Sequence, residues 1–254
     1  MLRTMLTVGA IAMTLAAGPA AAEDTELHQA WDDLLSTYVS EHDDGVNRFD
    51  YRALNANAGD LAKLNSYLDL FADLDFETLS EPEQFAAYSN VYNALTVKHI
   101  VGRYPLKSIR SGYLVGPWKR VFTTIDGEEV SLDDIEHQIL RVEWDDPRVH
   151  YAINCAAYSC PNLQTDAWYA ETLDESLDQA ARDYINDPRG VTIRRNGTLQ
   201  VSTIYKWFKE DFGDSNDGVI DHLLEYAEPG LASQIEAKRK ITKHDYDWSL
   251  NDAE

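Results

Sequence analysis

Cysteine is nearly absent from this chain: two thiols, Cys155 and Cys160, stand among 254 residues, so at most one bridge can form. Basic residues are scarce as well, 22 Lys and Arg against 44 Asp and Glu, giving a net charge of −22 at pH 7. A surface this acidic repels phosphate backbones and anionic lipid, and no nucleic acid is expected as a partner. Beyond the first few residues no run approaches the ~20 apolar positions that a membrane span needs, so no integral span is expected. Repeats, low-complexity tracts and linkers rich in glycine, serine or proline are missing too. One continuous domain over residues 23–254 is the expected organisation.

The amino terminus has what the rest lacks. Arg3 gives a positive start, residues 6–17 an apolar stretch, and Pro19-Ala20-Ala21-Ala22 a small-residue run before Glu23. That pattern predicts a secretory signal peptide over residues 1–22, and hence a periplasmic or secreted protein. In an oxidising compartment, two thiols five positions apart are candidates for a disulfide.

Hydrophobic spacing outlines the elements. Trp31, Leu34, Leu35 and Tyr38, then Leu61, Leu64, Tyr67, Leu68 and Phe71, recur at helical period. Ser80-Glu81-Pro82-Glu83 has serine at the cap, proline in the first turn and glutamate three residues on, which opens a helix running to about Val101. Asp126-Gly127 and Asn196-Gly197 each sit between strand-like segments and predict two hairpins. Ser131 caps a short helix with Leu132, Ile135, Ile139 and Leu140 as its apolar stripe. Residues 149–154 alternate and read as a strand, while residues 173–185 read as an amphipathic helix. The class expected is α+β: a single domain in which an antiparallel sheet with hairpins packs against several helices.

Chemistry concentrates in His150-Tyr-Ala-Ile-Asn-Cys-Ala-Ala-Tyr-Ser-Cys-Pro161. Read as a strand, its first part puts His150, Ala152 and Asn154 on one face. Pro161 would open a helical turn and bring backbone N–H groups to the Cys160 thiol, favouring its thiolate. A nucleophilic cysteine, an imidazole to exchange its proton and a third group to orient the ring make a catalytic set; Cys160, His150 and either Asn154 or Glu136 fit those roles. Three other uses of these residues stay open. They are a Cys155–Cys160 bridge that braces a loop, a metal site with only three local ligands, and thiol exchange, although the spacing is Cys-x4-Cys instead of Cys-x-x-Cys. His137 reads as a surface or boundary histidine. Asn90 and Asn93, inside an apolar helix, read as amides satisfying backbone groups, with Asn93 also a candidate for a cleft. Tyr205, Trp207 and Phe208 read as core, or as a platform for carbohydrate or peptide.

Five segments in order resemble the domain-of-unknown-function family numbered 547. They are Tyr88-Ser-Asn-Val-Tyr-Asn-Ala-Leu-Thr96, Ser131-Leu-Asp-Asp-Ile-Glu-His137, Asp146-Pro-Arg-Val-His-Tyr-Ala-Ile-Asn-Cys-Ala-Ala-Tyr-Ser-Cys-Pro161, Ile204-Tyr-Lys-Trp-Phe-Lys-Glu-Asp-Phe212 and Tyr246-Asp-Trp-Ser-Leu-Asn251. The resemblance implies a shared fold and a cleft built from these segments, with Asn93, Glu136, His150, Cys155 and Cys160 carried into the site. It does not imply a reaction. Two positions depart from the family: Tyr88 where tryptophan is usual, and Ala156 where glycine is, a steric penalty if that position needs a positive φ. The resulting expectation is an exported thiol hydrolase or acyl transferase acting on peptide-like envelope material, without a cofactor or metal. Its catalytic set would be Cys160, His150, Glu136 and Cys155, with Asn93 and Asn154 binding substrate. The alternative is a non-enzymatic envelope binding module braced by a Cys155–Cys160 disulfide.

Overall fold

The computed structural model describes residues 19–254, so the signal read at residues 1–22 lies outside the described residues for all but its last four positions. Three helices form the first layer: α1 (Pro19–Tyr38), α3 (Ala58–Asp69) and α4 (Glu81–Val101), with a short α2 (Tyr51–Ala56) between the first two. Helix α4 opens where the sequence predicts. The Glu83 carboxylate accepts from the Ser80 N–H at 2.6 Å, so the capping box is closed. Phe85, Val91, Leu95 and Ile100 are all buried, as are Ser89, Asn90, Asn93 and Thr96, so α4 is enclosed on every side. No helix among the described residues is long and apolar enough to cross a membrane.

Strands occur as short pairs. β1 (Val39–Ser40) pairs with β2 (Arg48–Phe49), and β3 (Phe122–Ile125) with β4 (Glu128–Ser131), both antiparallel. Asp126 and Gly127 at the β3–β4 turn have φ of 50° and 76°, the two positive angles that a tight two-residue hairpin turn demands. The second hairpin joins β5 (Val191–Ile193) to β6 (Leu199–Ser202), and a later strand, β7 (Ile241–Asp245), adds to β6 in parallel. The hairpins are as expected; β7 carries no local turn that could announce it.

After β4, Ser131 caps α5 (Leu132–Asp134), and its hydroxyl accepts from the Asp134 N–H at 3.1 Å. The chain then widens into a π-helical turn, Ile135–Leu140, before returning to α6 (Arg141–Glu143). The Arg141 N–H reaches back five residues to the Glu136 carbonyl. Such wide turns interrupt α-helices mostly where a side chain is needed in a particular place. Here Ile135, Glu136 and Leu140 are all buried.

Residues 149–154 are not a strand. Val149–Ala152 forms a helical turn, α7, and Ile153 after it is extended. The Asp146 carboxylate accepts from the Arg148 N–H at 2.8 Å, its carbonyl accepts from the Val149 N–H at 3.1 Å, and Pro147 suits a first helical turn. Alternation misleads because Val149, His150, Tyr151 and Ala152 are all buried, leaving no polar face to betray the period. Helices α8 (Leu173–Asn186), α9 (Ile204–Trp207), α10 (Asn216–Tyr226) and α11 (Pro229–Lys238) complete the domain. Helix α8 packs against α7 and α10 with Leu173, Leu177, Ala181 and Tyr184 buried, each buried leucine contributing about 2 kcal/mol. The tail beyond β7 folds back along the cysteine loop, where Tyr158 donates to the Ser249 carbonyl at 2.7 Å and Asn251 to the Ala156 carbonyl at 3.2 Å.

Candidate active site

A cavity of about 180 Å3 opens between the π turn, the cysteine loop, α9 and the tail. Tyr92, Glu136, His150, Cys155, Cys160 and Tyr246 line its interior, and Trp118, Trp207, Phe208 and Trp248 contribute aromatic wall. Trp207 lies 4.9 Å from Tyr246 and 5.5 Å from Trp248, ring centre to ring centre, and is 45% exposed. Of the two readings of the aromatic run, Tyr205 therefore follows the core reading, and Trp207 and Phe208 stand at the cavity.

The cysteine loop is held by its own side chains. Asn154 donates from Nδ2 to the Pro161 carbonyl at 2.7 Å and accepts from the Ala156 N–H at 2.8 Å, closing the loop at both ends. Ala156 has φ of 57°, the left-handed angle that glycine would take without strain. The conditional penalty read at this position therefore applies, on the order of 1 kcal/mol. No helix starts at Pro161; the N–H group that reaches the Cys160 sulfur, at 3.0 Å, belongs to Cys155.

Both cysteines are free, with their sulfurs 3.0 Å apart, well beyond the ~2.0 Å of a disulfide bond. Burial pushes the Cys160 thiol up, but hydrogen bonds from the Cys155 thiol and N–H and from Tyr246 outweigh it and leave Cys160 below its ordinary value. Cys155 goes the other way: it gives its proton toward Cys160, and burial adds to the rise. The Tyr246 hydroxyl stands 3.1 Å from Cys155 Sγ. Of the pair, Cys160 is the sulfur that favours thiolate and Cys155 the one that stays protonated.

Glu136, 7% exposed, lines the same cavity as the thiols, with the Tyr92 hydroxyl donating to Oε2 at 3.1 Å. Burial lifts its carboxyl to about 7, against smaller opposing pulls from Tyr92 and Arg141. An acid of that strength can both give and take a proton at neutral pH.

His150 does reach the cavity wall, but no hydrogen bond joins it to Cys160. Its Nε2 meets Asp211 Oδ2 at 2.6 Å, and its ring stacks on Phe208 at 4.1 Å between centres. Asp211 also receives Arg141 through Nε at 2.6 Å and Nη2 at 2.8 Å. Burial raises the Asp211 carboxyl, yet His150 and Arg141 together hold it well below the carboxylate range. A carboxylate only accepts, so the short contact puts the His150 proton on Nε2 and leaves Nδ1 with its lone pair. Burial lowers the ring's own pKa, which keeps it neutral, with Asp211 opposing. The orienting group is thus Asp211, where Asn154 or Glu136 was expected. His137 is half-buried at the cavity edge, its Nδ1 2.9 Å from Arg141 Nη1. Nothing in the spacing singles out Asp211 or Tyr246; only their place in the quoted segments Ile204–Phe212 and Tyr246–Asn251 marks them.

Asn93 and Asn154 stand behind the wall and do not line the cavity. Asn93 donates to the Ala152 carbonyl at 2.9 Å and accepts from the Asn154 N–H at 2.7 Å, tying α4 to the turn that delivers the cysteines. Asn90 pairs in the same manner with the Trp168 backbone. Replacing Asn93 by alanine strands the buried Asn154 N–H, and urea unfolding should show a loss of about 2 kcal/mol. Among the described residues, no group of three or more His, Cys, Asp or Glu is placed to hold a metal ion.

The family model described as "Protein of unknown function, DUF547" covers α4, the π turn, the cysteine loop and most of α8. Residues 76–185 match DUF547. The resemblance read in the sequence therefore holds over that span, which supplies Tyr92, Glu136, His150, Cys155 and Cys160, while Asp211 and Tyr246 come from beyond the DUF547 match. No curated protein and no solved structure matches the chain.

Proposed function

We propose that the cavity is the active site of a cysteine-dependent acyl-transfer enzyme, a hydrolase or acyl transferase of an exported protein acting on peptide-like envelope material. The observation that carries this reading is the convergence of the Cys155 N–H and thiol, each at 3.0 Å, on the sulfur of Cys160 at the wall of a cavity shared with Glu136. The Cys160 thiolate forms a bond to the substrate carbonyl carbon, and the carbonyl π electrons move to oxygen. Collapse of that adduct expels the leaving group, which takes a proton from the Glu136 carboxyl. Water then attacks the thioester, giving one proton to the Glu136 carboxylate, and the acid product departs as the Cys160 thiolate is restored. His150, neutral and lining the same wall, would be a second group able to accept a proton there. The aromatic wall suits a flat amide or a ring beside it.

The test is acylation of the protein by activated thioesters and by amides, followed by mass mapping. An acyl group on Cys160 is expected from both. Acylation by an amide, whose amine leaves only when protonated, should fall as pH rises through about 7, the Glu136 value; acylation by a thioester, whose thiolate leaves unaided, should not. Absence of any adduct on Cys160 would remove the enzyme reading.

The sulfurs' closeness, 3.0 Å, favours one second reading, a binding module in which oxidation links Cys155 to Cys160 and braces the loop. Thiol titration of native, unreduced protein separates them: no free sulfhydryl is expected for the braced module, two for the enzyme.

A further inference from the structure

From Gln84 to Ile125 this acidic chain contains no Asp or Glu but six basic residues, Lys98, Arg103, Lys107, Arg110, Lys119 and Arg120. Five of the six fall within residues 102–121, which join α4 to β3. The base of that segment is fastened: Ile109 is fully buried, and Leu250 donates to the Lys107 carbonyl at 3.0 Å. Arg103 donates to the Ser111 carbonyl at 2.8 Å and lies over the Tyr113 ring. Its apex is the opposite. Leu114 is 98% exposed and Val115 83%, between Gly112 and Gly116, whose φ values of 82° and 99° turn the chain sharply around them. Phe122, at the segment's far end, is also exposed.

A single exposed aliphatic residue is ordinary. Two adjacent ones held at the tip of an anchored loop that carries five cations and no carboxylate, in a protein of net charge −22, are not. The loop also touches the cavity: Arg110 lies 4.9 Å over the Trp248 ring, and Trp118 packs against Trp248 while lining the cavity wall. Of the carboxylates near it, Asp133 pairs with Lys119 at 3.4 Å, Asp252 accepts from Tyr104 at the base, and Glu254, 3.5 Å from the same hydroxyl, pairs with Arg52. Repulsion from acidic groups elsewhere fades over a Debye length of about 8 Å at physiological salt, so the local sign governs docking.

We propose that residues 102–121 are a membrane-docking loop that seats the cavity mouth on a bilayer surface carrying anionic lipid. Leu114 and Val115 enter the interface, and the loop's lysines and arginines meet the headgroups. An acidic soluble polymer would use the cations but leave both aliphatic side chains in water, which is why the bilayer is favoured. The inference stands independently of the acyl-transfer reading.

Co-sedimentation with phosphatidylcholine vesicles, with and without phosphatidylglycerol, tests it. Binding is expected to the anionic vesicles only, weakening as salt rises. The Leu114→Ser/Val115→Ser double variant, whose changes are on the surface and should leave thermal unfolding unmoved, is expected to bind about tenfold more weakly. Lys107→Glu with Arg120→Glu should abolish binding. No binding to anionic vesicles would overturn the proposal. So would equal binding by the double variant together with equal capture of soluble polyphosphate, which would identify a polyanion site instead.

Discussion

Cys160→Ala is expected to slow alkylation of the reduced protein at neutral pH by about a hundredfold, whereas Cys155→Ala should slow it only about tenfold. The asymmetry comes from who donates to whom. In Cys155→Ala the Cys160 thiolate loses the thiol donor at 3.0 Å but keeps the residue 155 N–H, also at 3.0 Å. Losing one hydrogen bond to a charged group costs about 1.5 kcal/mol, about a factor of ten in thiolate population. In Cys160→Ala the remaining sulfur is the one held high, first by donating to Cys160 and then by burial. Burial persists in the variant, and with it a protonated, unreactive thiol. Iodoacetamide kinetics followed by intact mass would measure both. Equal slowing in the two variants would mean that the pair has no division of labour.

Glu136→Gln is expected to stabilise the protein by about 3 kcal/mol at about pH 8, while removing the pH dependence of amide acylation. The folded state holds this carboxyl at about 7 against an ordinary 4.5, with burial as the leading cause. Between those values the folded protein binds the extra proton, so the residue's contribution is fully favourable below about 4.5 and is lost as pH rises through 7. Above 7 the fold carries a buried carboxylate whose cost is about 1.4 kcal/mol per pH unit of separation. Glutamine keeps the shape and can still accept from Tyr92 at Oε1, but it never ionises. Urea unfolding across pH should show the variant's advantage absent in acid and growing to a plateau above neutrality. A variant less stable than the parent at every pH would show that Glu136 is held by interactions stronger than its burial penalty.

How much of this was legible in the sequence depends on how local each signal is. The α4 opening and the β3–β4 turn are written in four and two adjacent residues, Ser80 to Glu83 and Asp126-Gly127, and both appear where expected. Part of the site was legible too, in the sense that Cys155, Cys160, His150 and Glu136 all line one cavity. Partnerships across the chain were not. Asp211 lies 61 residues from His150 and Tyr246 lies 91 from Cys155, and no periodicity specifies such meetings. The π turn was equally hidden, because Leu132, Ile135, Ile139 and Leu140 satisfy an ordinary helix and only packing decides that Glu136 turns inward. Asn93 and Asn154, expected at the substrate, bond backbone groups that position the cysteine loop, as the backbone-satisfying reading of Asn93 anticipates.

The difference between the two sulfurs underlies the enzyme reading. Site-resolved alkylation of the reduced native protein across pH, with each cysteine quantified in its own peptide, measures it directly. The account requires Cys160 to react with a midpoint below that of an ordinary thiol and Cys155 to lag far above it. A Cys155 that reacts first, or two cysteines that titrate alike, would contradict the account.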